Sequence, residues 1–100
     1  MMLYFSDIEV KRKSPSLLEV TLFDGIIPKT YRTKMTYAHP SEKKSDNPGI
    51  TIAGYLVSKD SRVIKLSWDK LPPNELKSYE GLVVVHKNSI YRIILQRGKK

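Results

Sequence analysis

The chain contains no cysteine among its 100 residues. Without cysteine it cannot form disulfides, thiolate zinc sites or iron–sulfur clusters, and it has no cysteine nucleophile. No apolar run approaches the roughly 20 residues that a membrane-spanning helix needs. The first thirteen residues also lack the small-residue cleavage site of a signal peptide. We therefore expect a protein that is neither transmembrane nor secreted through a signal peptide.

Residues that perform catalysis are scarce as well. The two histidines, His39 and His86, do not lie at metal-ligand spacing from another candidate ligand. Neither a phosphate-cradling glycine loop nor a Gly-x-Ser-x-Gly nucleophile motif occurs. These absences predict a protein that is not an enzyme and that has no metal, cofactor or small-molecule substrate.

Positive charge is in clear excess. Lysine and arginine number 18 against 10 aspartates and glutamates, which gives a net charge of +8 and a pI near 9.8. Residues 51–100 hold ten of these bases and only four of the acids. Such a surplus favours a nucleic acid or an acidic protein surface as partner. A net charge of about 2–8 also serves solubility alone, so composition leaves the role of the charge open.

Alternating apolar and polar side chains predict a chain built mainly of β-strands. One hundred residues are enough for one domain, residues 1–100. We predict a compact antiparallel sandwich or partly open barrel of about seven strands. A short helix is expected at about residues 73–80, because prolines precede it and Gly81 follows it. The predicted strands are residues 3–10 with a break near 6, 18–23, 30–37, 50–57, 63–68, 82–86 and 90–96.

Four details of this prediction can be checked against the structure. The alternation over residues 30–37 predicts one continuous strand. A change of phase at Ala53-Gly54 predicts a β-bulge there. Residues 87–89 read as a hairpin turn between two central strands that are covered on both faces. Trp68 is expected in the core, because its indole buries a large area.

Residues 38–49 form a polar segment with no large apolar side chain. Its two prolines disfavour strand pairing, and we predict an exposed loop available for contacts with other proteins. The candidate partner contacts in this loop are His39, Glu42, Lys43, Lys44 and Asp46.

Basic and aromatic residues interleave in the 30–37 run and again near the C-terminal end. In a regular strand, alternating Tyr31 and Arg32 point to opposite faces, which weakens base stacking and leaves a phosphate-attracting surface. The candidate polyanion contacts are Arg32, Lys34, Arg92, Arg97, Lys99 and Lys100.

Two segments resemble the small tail-associated structural proteins of long-tailed bacteriophages. Residues 2–10 followed by 14–24 are similar to the opening of those proteins, a short strand, a proline-serine turn and an alternating strand. Residues 62–71, with Glu75 after them, are similar to their basic-hydrophobic strand, tryptophan and acidic helix start. Together these segments cover about a third of the chain.

The resemblance implies a structural or assembly module of a phage or phage-like particle, acting through protein–protein contacts. Its partners would be other virion or tail subunits or further copies of itself, and its location the virion or the host cytoplasm. The charge supports a different alternative, a small basic β-domain that binds nucleic acid through its phosphates. An inhibitor or adaptor that binds an acidic protein surface is a third alternative.

Overall fold

The structure is a computed structural model that describes residues 2–11, 13–30, 35–39, 45–68 and 81–96. It is mainly β, as predicted, and its strands form one eight-stranded sheet in the order β1-β8-β2-β5-β6-β7-β4-β3. Among the described residues, two short 3₁₀ turns accompany the strands, Phe5–Asp7 and Lys87–Ser89. The strands are β1 (Met2–Leu3), β2 (Leu17–Phe23), β3 (Lys29–Thr30), β4 (Thr36–Ala38), β5 (Pro48–Lys59), β6 (Val63–Ser67), β7 (Leu82–His86) and β8 (Ile90–Leu95).

The sheet curls around one main core. Apolar side chains from β2, β5, β6, β7 and β8 all belong to a single buried cluster. The turn Lys87–Ser89 joins β7 to β8 although three strands separate them in the sheet, so the sheet must curl to bring them together. The alternation predicted for β2 is confirmed, since Leu18, Val20 and Leu22 are all buried in this cluster. A second, smaller cluster of Met35, Leu82 and Val84 covers the other face of β7. β7 is therefore buried on both faces, as its continuous apolar run predicted.

The 30–37 segment is not the single strand that we predicted. Lys29 pairs with Tyr37 and Thr30 with Thr36, so the two ends of this segment form separate antiparallel strands. The hydroxyls of Thr30 and Thr36 are hydrogen-bonded at 3.1 Å. The alternation of apolar and polar residues indicates which side chains share a face of a strand. It does not indicate whether the chain continues as one strand or folds back, and this explains why one continuous strand was predicted. β4 also pairs with β7 in parallel, so the sheet is mixed and not wholly antiparallel.

The predicted bulge at Ala53-Gly54 is also wrong. β5 pairs with β2 in unbroken register from Thr51 to Tyr55, and Gly54 stays in phase with the buried Ile52. A Cβ on Gly54 would lie 2.8 Å from the Leu66 Cβ, so the glycine permits a close approach of β6. The register of β5 shifts instead against β6, at Val57, and against β2 in the stretch before Thr51.

β7 and β8 do not form a hairpin with each other, contrary to our prediction. β6 and β4 occupy the two edges of β7, while β8 pairs with β1 and β2. The 3₁₀ turn Lys87–Ser89 therefore carries the chain across the core to the other part of the sheet. In β8 only Ile93 is fully buried, so this strand is not covered on both faces.

Other boundaries differ from those predicted. The predicted first strand is reduced to β1, because the 3₁₀ turn Phe5–Asp7 follows it. The polar loop is shorter than 38–49, since Ala38 is buried in β4 and β5 begins at Pro48. Trp68 follows the end of β6 and is 51% exposed, so it is not a core residue. The predicted helix at 73–80 lies outside the described residues.

Candidate binding surfaces

Of the six predicted polyanion contacts, only Arg92 lies among the described residues. The other five, Arg32, Lys34, Arg97, Lys99 and Lys100, lie outside them. Arg92 is exposed on β8, opposite Thr21 of β2. Its guanidinium lies 5.6 Å from the centre of the Tyr91 ring, within the range of a cation–π contact.

A bulge in β8 places Tyr91 and Arg92 together at the surface. Thr21 pairs with Arg92 and Leu22 with Ile90, so Tyr91 is the extra residue in the register. Both Tyr91 and Arg92 are exposed. The Tyr91 ring also contacts Phe23 edge to face, at 5.6 Å between the ring centres. In a regular strand the neighbours Tyr91 and Arg92 would point to opposite faces. The bulge therefore allows the aromatic and the basic side chain to lie on the same surface here.

The predicted partner loop is described only at its two ends. His39 is exposed, and its ring stacks on Tyr37 with 5.6 Å between the ring centres. Asp46 is exposed as well, whereas Glu42, Lys43 and Lys44 lie outside the described residues. The end of the loop is held to the sheet, because the Asp24 backbone N–H donates to the Asn47 carbonyl at 2.7 Å.

Large apolar side chains are exposed beside both edge strands of the sheet. Met2 in β1 is 63% exposed and the adjacent Tyr4 is 73% exposed. Ile27, two residues before β3, is also 73% exposed. The exposure of these residues was not predicted from the sequence, because an apolar side chain at a sheet edge has the same local sequence pattern as one in the core.

A cluster of cations that the sequence analysis missed lies where the β5–β6 turn meets the 3₁₀ turn after β7. Lys59, Arg62 and Lys87 form this cluster, which we call the basic corner. The Lys87 backbone N–H donates to the Arg62 carbonyl at 2.7 Å, which joins the two turns. Lys59 and Lys87 line an open pocket together with Phe5, Ser6, Asp60 and Ser61. Lys87 is distant in sequence from Lys59 and Arg62, so no local motif could have revealed the cluster.

The Lys59 ammonium group is held in place by two contacts. It donates a hydrogen bond to the Ile8 carbonyl at 3.1 Å. It also lies 5.2 Å from the centre of the Phe5 ring. An ammonium group has three donors, so a held lysine can still donate to a ligand in the pocket.

Asp60 is an acid within this basic surface, and it organises the turn. One carboxylate oxygen, Oδ1, accepts the backbone N–H groups of Arg62 at 2.7 Å and of Val63 at 2.9 Å. The hydrogen bond from Arg62, followed by that from Val63, lowers the pKa of Asp60. Asp60 is therefore ionised at neutral pH, and one of its oxygens is already occupied by the backbone.

The described residues give no sign of a metal centre or a membrane helix. Within this part of the chain, no group of three or more histidine, aspartate or glutamate side chains is placed to hold a metal ion. Likewise, the described residues include no helix with the length and apolar character to cross a bilayer. His86 accepts the Asn88 backbone N–H on Nδ1 at 3.2 Å, which is a local cap of the 3₁₀ turn.

No protein-family model, curated protein or solved structure matches this chain. The resemblance to phage tail proteins consequently rests on the sequence segments quoted above. The surfaces of the described residues are the remaining guide to function.

Proposed function

We propose that this chain is a non-enzymatic assembly module of a phage or phage-like particle, which binds neighbouring subunits through protein–protein contacts. The assignment to a phage or phage-like particle rests on the sequence resemblance to phage tail proteins. The observation that supports the binding mode is the exposure of large apolar side chains at the sheet edges, with Met2 and Tyr4 beside β1 and Ile27 beside β3. Exposed apolar side chains beside the unpaired backbone of an edge strand favour pairing with another chain.

The edge strands themselves offer backbone groups for pairing. Among the described residues, β1 pairs only with Ile93 and Ile94, although β8 extends from Ile90 to Leu95. Within the described ranges, no strand pairs with this side of β8 nearer to Ile90, and an extended segment of a neighbour can add there as a strand. Tyr91 is exposed at this place and would contribute a side-chain contact to the added strand.

The two edges differ, and this difference determines the geometry of assembly. β1 lies at one end of the strand order and β3 at the other. Contact between the β1 edge of one copy and the β3 edge of the next is a head-to-tail contact, which produces rings or open chains and not closed dimers. The loop residues His39 and Asp46, with Glu42, Lys43 and Lys44, remain the proposed additional contacts.

Sedimentation velocity over a range of protein concentrations tests this proposal. We expect the wild-type chain to form oligomers, and the double variant Met2→Ser/Tyr4→Ser and the single variant Ile27→Ser to sediment as monomers. Ile50→Ser is the matched control, because Ile50 is 49% exposed but lies in β5, away from the sheet edges. A wild-type chain that stays monomeric at every concentration, or edge variants that assemble as it does, would contradict the proposal.

Nucleic-acid binding is the second candidate function, and one observation favours it. The bulge at Tyr91 brings an exposed aromatic ring and an exposed arginine to the same surface. Proteins that bind single strands combine aromatic rings for base stacking with cations for phosphates. A mobility-shift assay with single-stranded and duplex oligonucleotides at about 150 mM salt tests it directly. No shift with either oligonucleotide would exclude this candidate.

A further inference from the structure

We infer that the basic corner formed by Lys59, Arg62 and Lys87 is a phosphate-binding site for single-stranded nucleic acid. This inference rests on the second candidate function and assigns it a site outside the residues predicted from sequence. The ligand chemistry is the phosphate group, which a nucleic-acid backbone or a free phosphate can supply.

The charge of the basic corner favours an anion. Lys59 and Lys87 line the pocket, and Arg62 and Lys65 both lie within electrostatic reach of Asp60. Asp60 is the one carboxylate among the described residues that line the pocket. Its Oδ1 accepts two backbone N–H groups, so part of its capacity to bind the cations is already used. The local field is therefore positive, and it attracts anions.

The fold holds one of these cations in place and brings the other two near it. The Lys59 ammonium group is held by the Ile8 carbonyl and the Phe5 ring. The backbone hydrogen bond between Lys87 and Arg62 joins the two turns that carry these exposed residues. Holding Lys59 in place before binding reduces the entropy that a ligand must overcome. The hydroxyls of Ser6 and Ser61 line the same pocket and can donate to phosphate oxygens.

The nearness of Tyr91 to the basic corner favours a nucleic acid over other molecules that carry phosphate. The 3₁₀ turn Lys87–Ser89 runs directly into β8, so Lys87 and Tyr91 are four residues apart. Four residues span at most about 14 Å of extended chain. A single strand with one phosphate at the basic corner can therefore place a neighbouring base near Tyr91 and a further phosphate near Arg92. A free phosphate ion would use the basic corner alone.

The test compares two double variants that lose the same charge. Arg62→Ser/Lys87→Ser removes the exposed cations of the basic corner and keeps Lys59, whose contacts stabilise the fold. Lys13→Ser/Lys29→Ser is the control, because both lysines are exposed and neither belongs to the two turns that form the basic corner. Binding of a fluorescent single-stranded oligonucleotide is measured by anisotropy at several salt concentrations. Circular dichroism establishes that each variant is folded.

We expect the basic-corner variant to bind roughly tenfold or more weakly than the control. Its plot of log affinity against log salt should also be less steep, by about 0.7 for each phosphate that the variant no longer neutralises. Equal losses of affinity in the two double variants would show that only net charge matters and would overturn the site. In that case nucleic-acid binding itself would stand. A wild-type chain that binds no oligonucleotide would overturn both the second candidate function and this inference.

A titration of the ¹⁵N-labelled wild-type chain with inorganic phosphate distinguishes the sources of phosphate. Shifts of the Ser61, Arg62 and Lys87 amides that saturate with phosphate support the site. If a duplex oligonucleotide bound as well as the single strand, base stacking on Tyr91 and the assignment of the site to single-stranded nucleic acid would both be contradicted. Binding of free phosphate without any binding of oligonucleotide would overturn the assignment to nucleic acid.

Discussion

The Ser89 hydroxyl donates a hydrogen bond to the Ala38 carbonyl, at 3.1 Å, across 51 residues of sequence. Both residues are buried. The bond joins the 3₁₀ turn before β8 to β4, the strand that pairs in parallel with β7. It holds the chain at the point where it leaves β7 and crosses to β8, a path that the spacing of the two strands in sequence did not reveal.

Replacing Ser89 by alanine should lower the free energy of unfolding by about 1–2 kcal/mol, because the buried Ala38 carbonyl loses a donor. Urea unfolding followed by tryptophan fluorescence measures the change. Ser61→Ala is the control, since Ser61 is exposed and should change stability by no more than about 0.5 kcal/mol. An unaltered midpoint for Ser89→Ala would show that the bond contributes nothing to folding.

Gly54→Ala should destabilise the chain by about 1–3 kcal/mol through overpacking between β5 and β6. The added Cβ would lie 2.8 Å from the Leu66 Cβ and 3.1 Å from the Ser67 carbonyl oxygen, both of which belong to the neighbouring strand. Thermal unfolding compares it with Ala53→Ser at the adjacent, exposed position, where we expect a change within about 0.5 kcal/mol. Equal melting temperatures for the two variants would mean that β6 moves aside without cost.

Removing the Asp60 carboxylate should destabilise the chain at neutral pH, because the Arg62 and Val63 amides lose their acceptor. The pKa of Asp60 in the folded chain lies below its ordinary value of 3.8. Its ionised form therefore favours the folded state above that value, and this contribution is lost as the pH falls through the lowered pKa. The stability difference between wild type and Asp60→Ala should accordingly be full near neutral pH and shrink in strong acid.

Asp60→Asn is the matched control for that measurement. Its amide oxygen can still accept the two backbone N–H groups but does not titrate. We expect an intermediate stability whose difference from Asp60→Ala changes little in acid. A wild-type curve that runs parallel to the Asp60→Ala curve down to strong acid would contradict the role given to the carboxylate.

Tyr91→Ser and Tyr4→Ser should separate the two candidate functions. If the chain binds single strands, loss of the Tyr91 ring removes a stacking interaction worth about 1–3 kcal/mol, and Tyr4→Ser leaves the affinity unchanged. If the chain assembles through its β1 edge, Tyr4→Ser weakens self-association, because Tyr4 is 73% exposed beside that edge. Tyr91→Ser then weakens self-association as well, since its ring would contact the added strand, and neither variant changes binding to an oligonucleotide. Anisotropy and sedimentation of the same two samples show which pattern holds, and a variant pair without effect in either assay would contradict both surfaces.

Deleting part of the polar loop tests whether it contacts other copies, and the ends of the loop must be kept because they pair with the sheet. Asn47 accepts the Asp24 backbone N–H, and Pro48 pairs with Phe23 in the sheet. Removing residues 41–44 alone spares these interactions. We expect that deletion to leave the unfolding midpoint of the monomer nearly unchanged while it reduces self-association. Full oligomer formation by the deleted chain would exclude the loop as a contact.

The sequence by itself determined that the fold is mainly β and which face of β2 is buried. Leu18, Val20 and Leu22 alternate with more polar neighbours, and that local period alone required one buried face for β2. The pair Asp24-Gly25 is likewise of the type that forms turns, and Gly25 adopts the positive φ, 93°, that glycine tolerates best. Such features depend on residues that are close together in the chain, so they can be read from it directly.

Only the tertiary structure decided which strands pair, where the register slips and which charges meet. The bulge at Tyr91 exists because β8 must match β2, and Lys59 meets Lys87 because two distant turns share a hydrogen bond between Arg62 and Lys87. Strand pairing and register depend on long-range packing, which alternation does not specify. The fold therefore decides that Lys87 lies beside Lys59, and that the neighbours Tyr91 and Arg92 are exposed on one surface and not on opposite faces of β8.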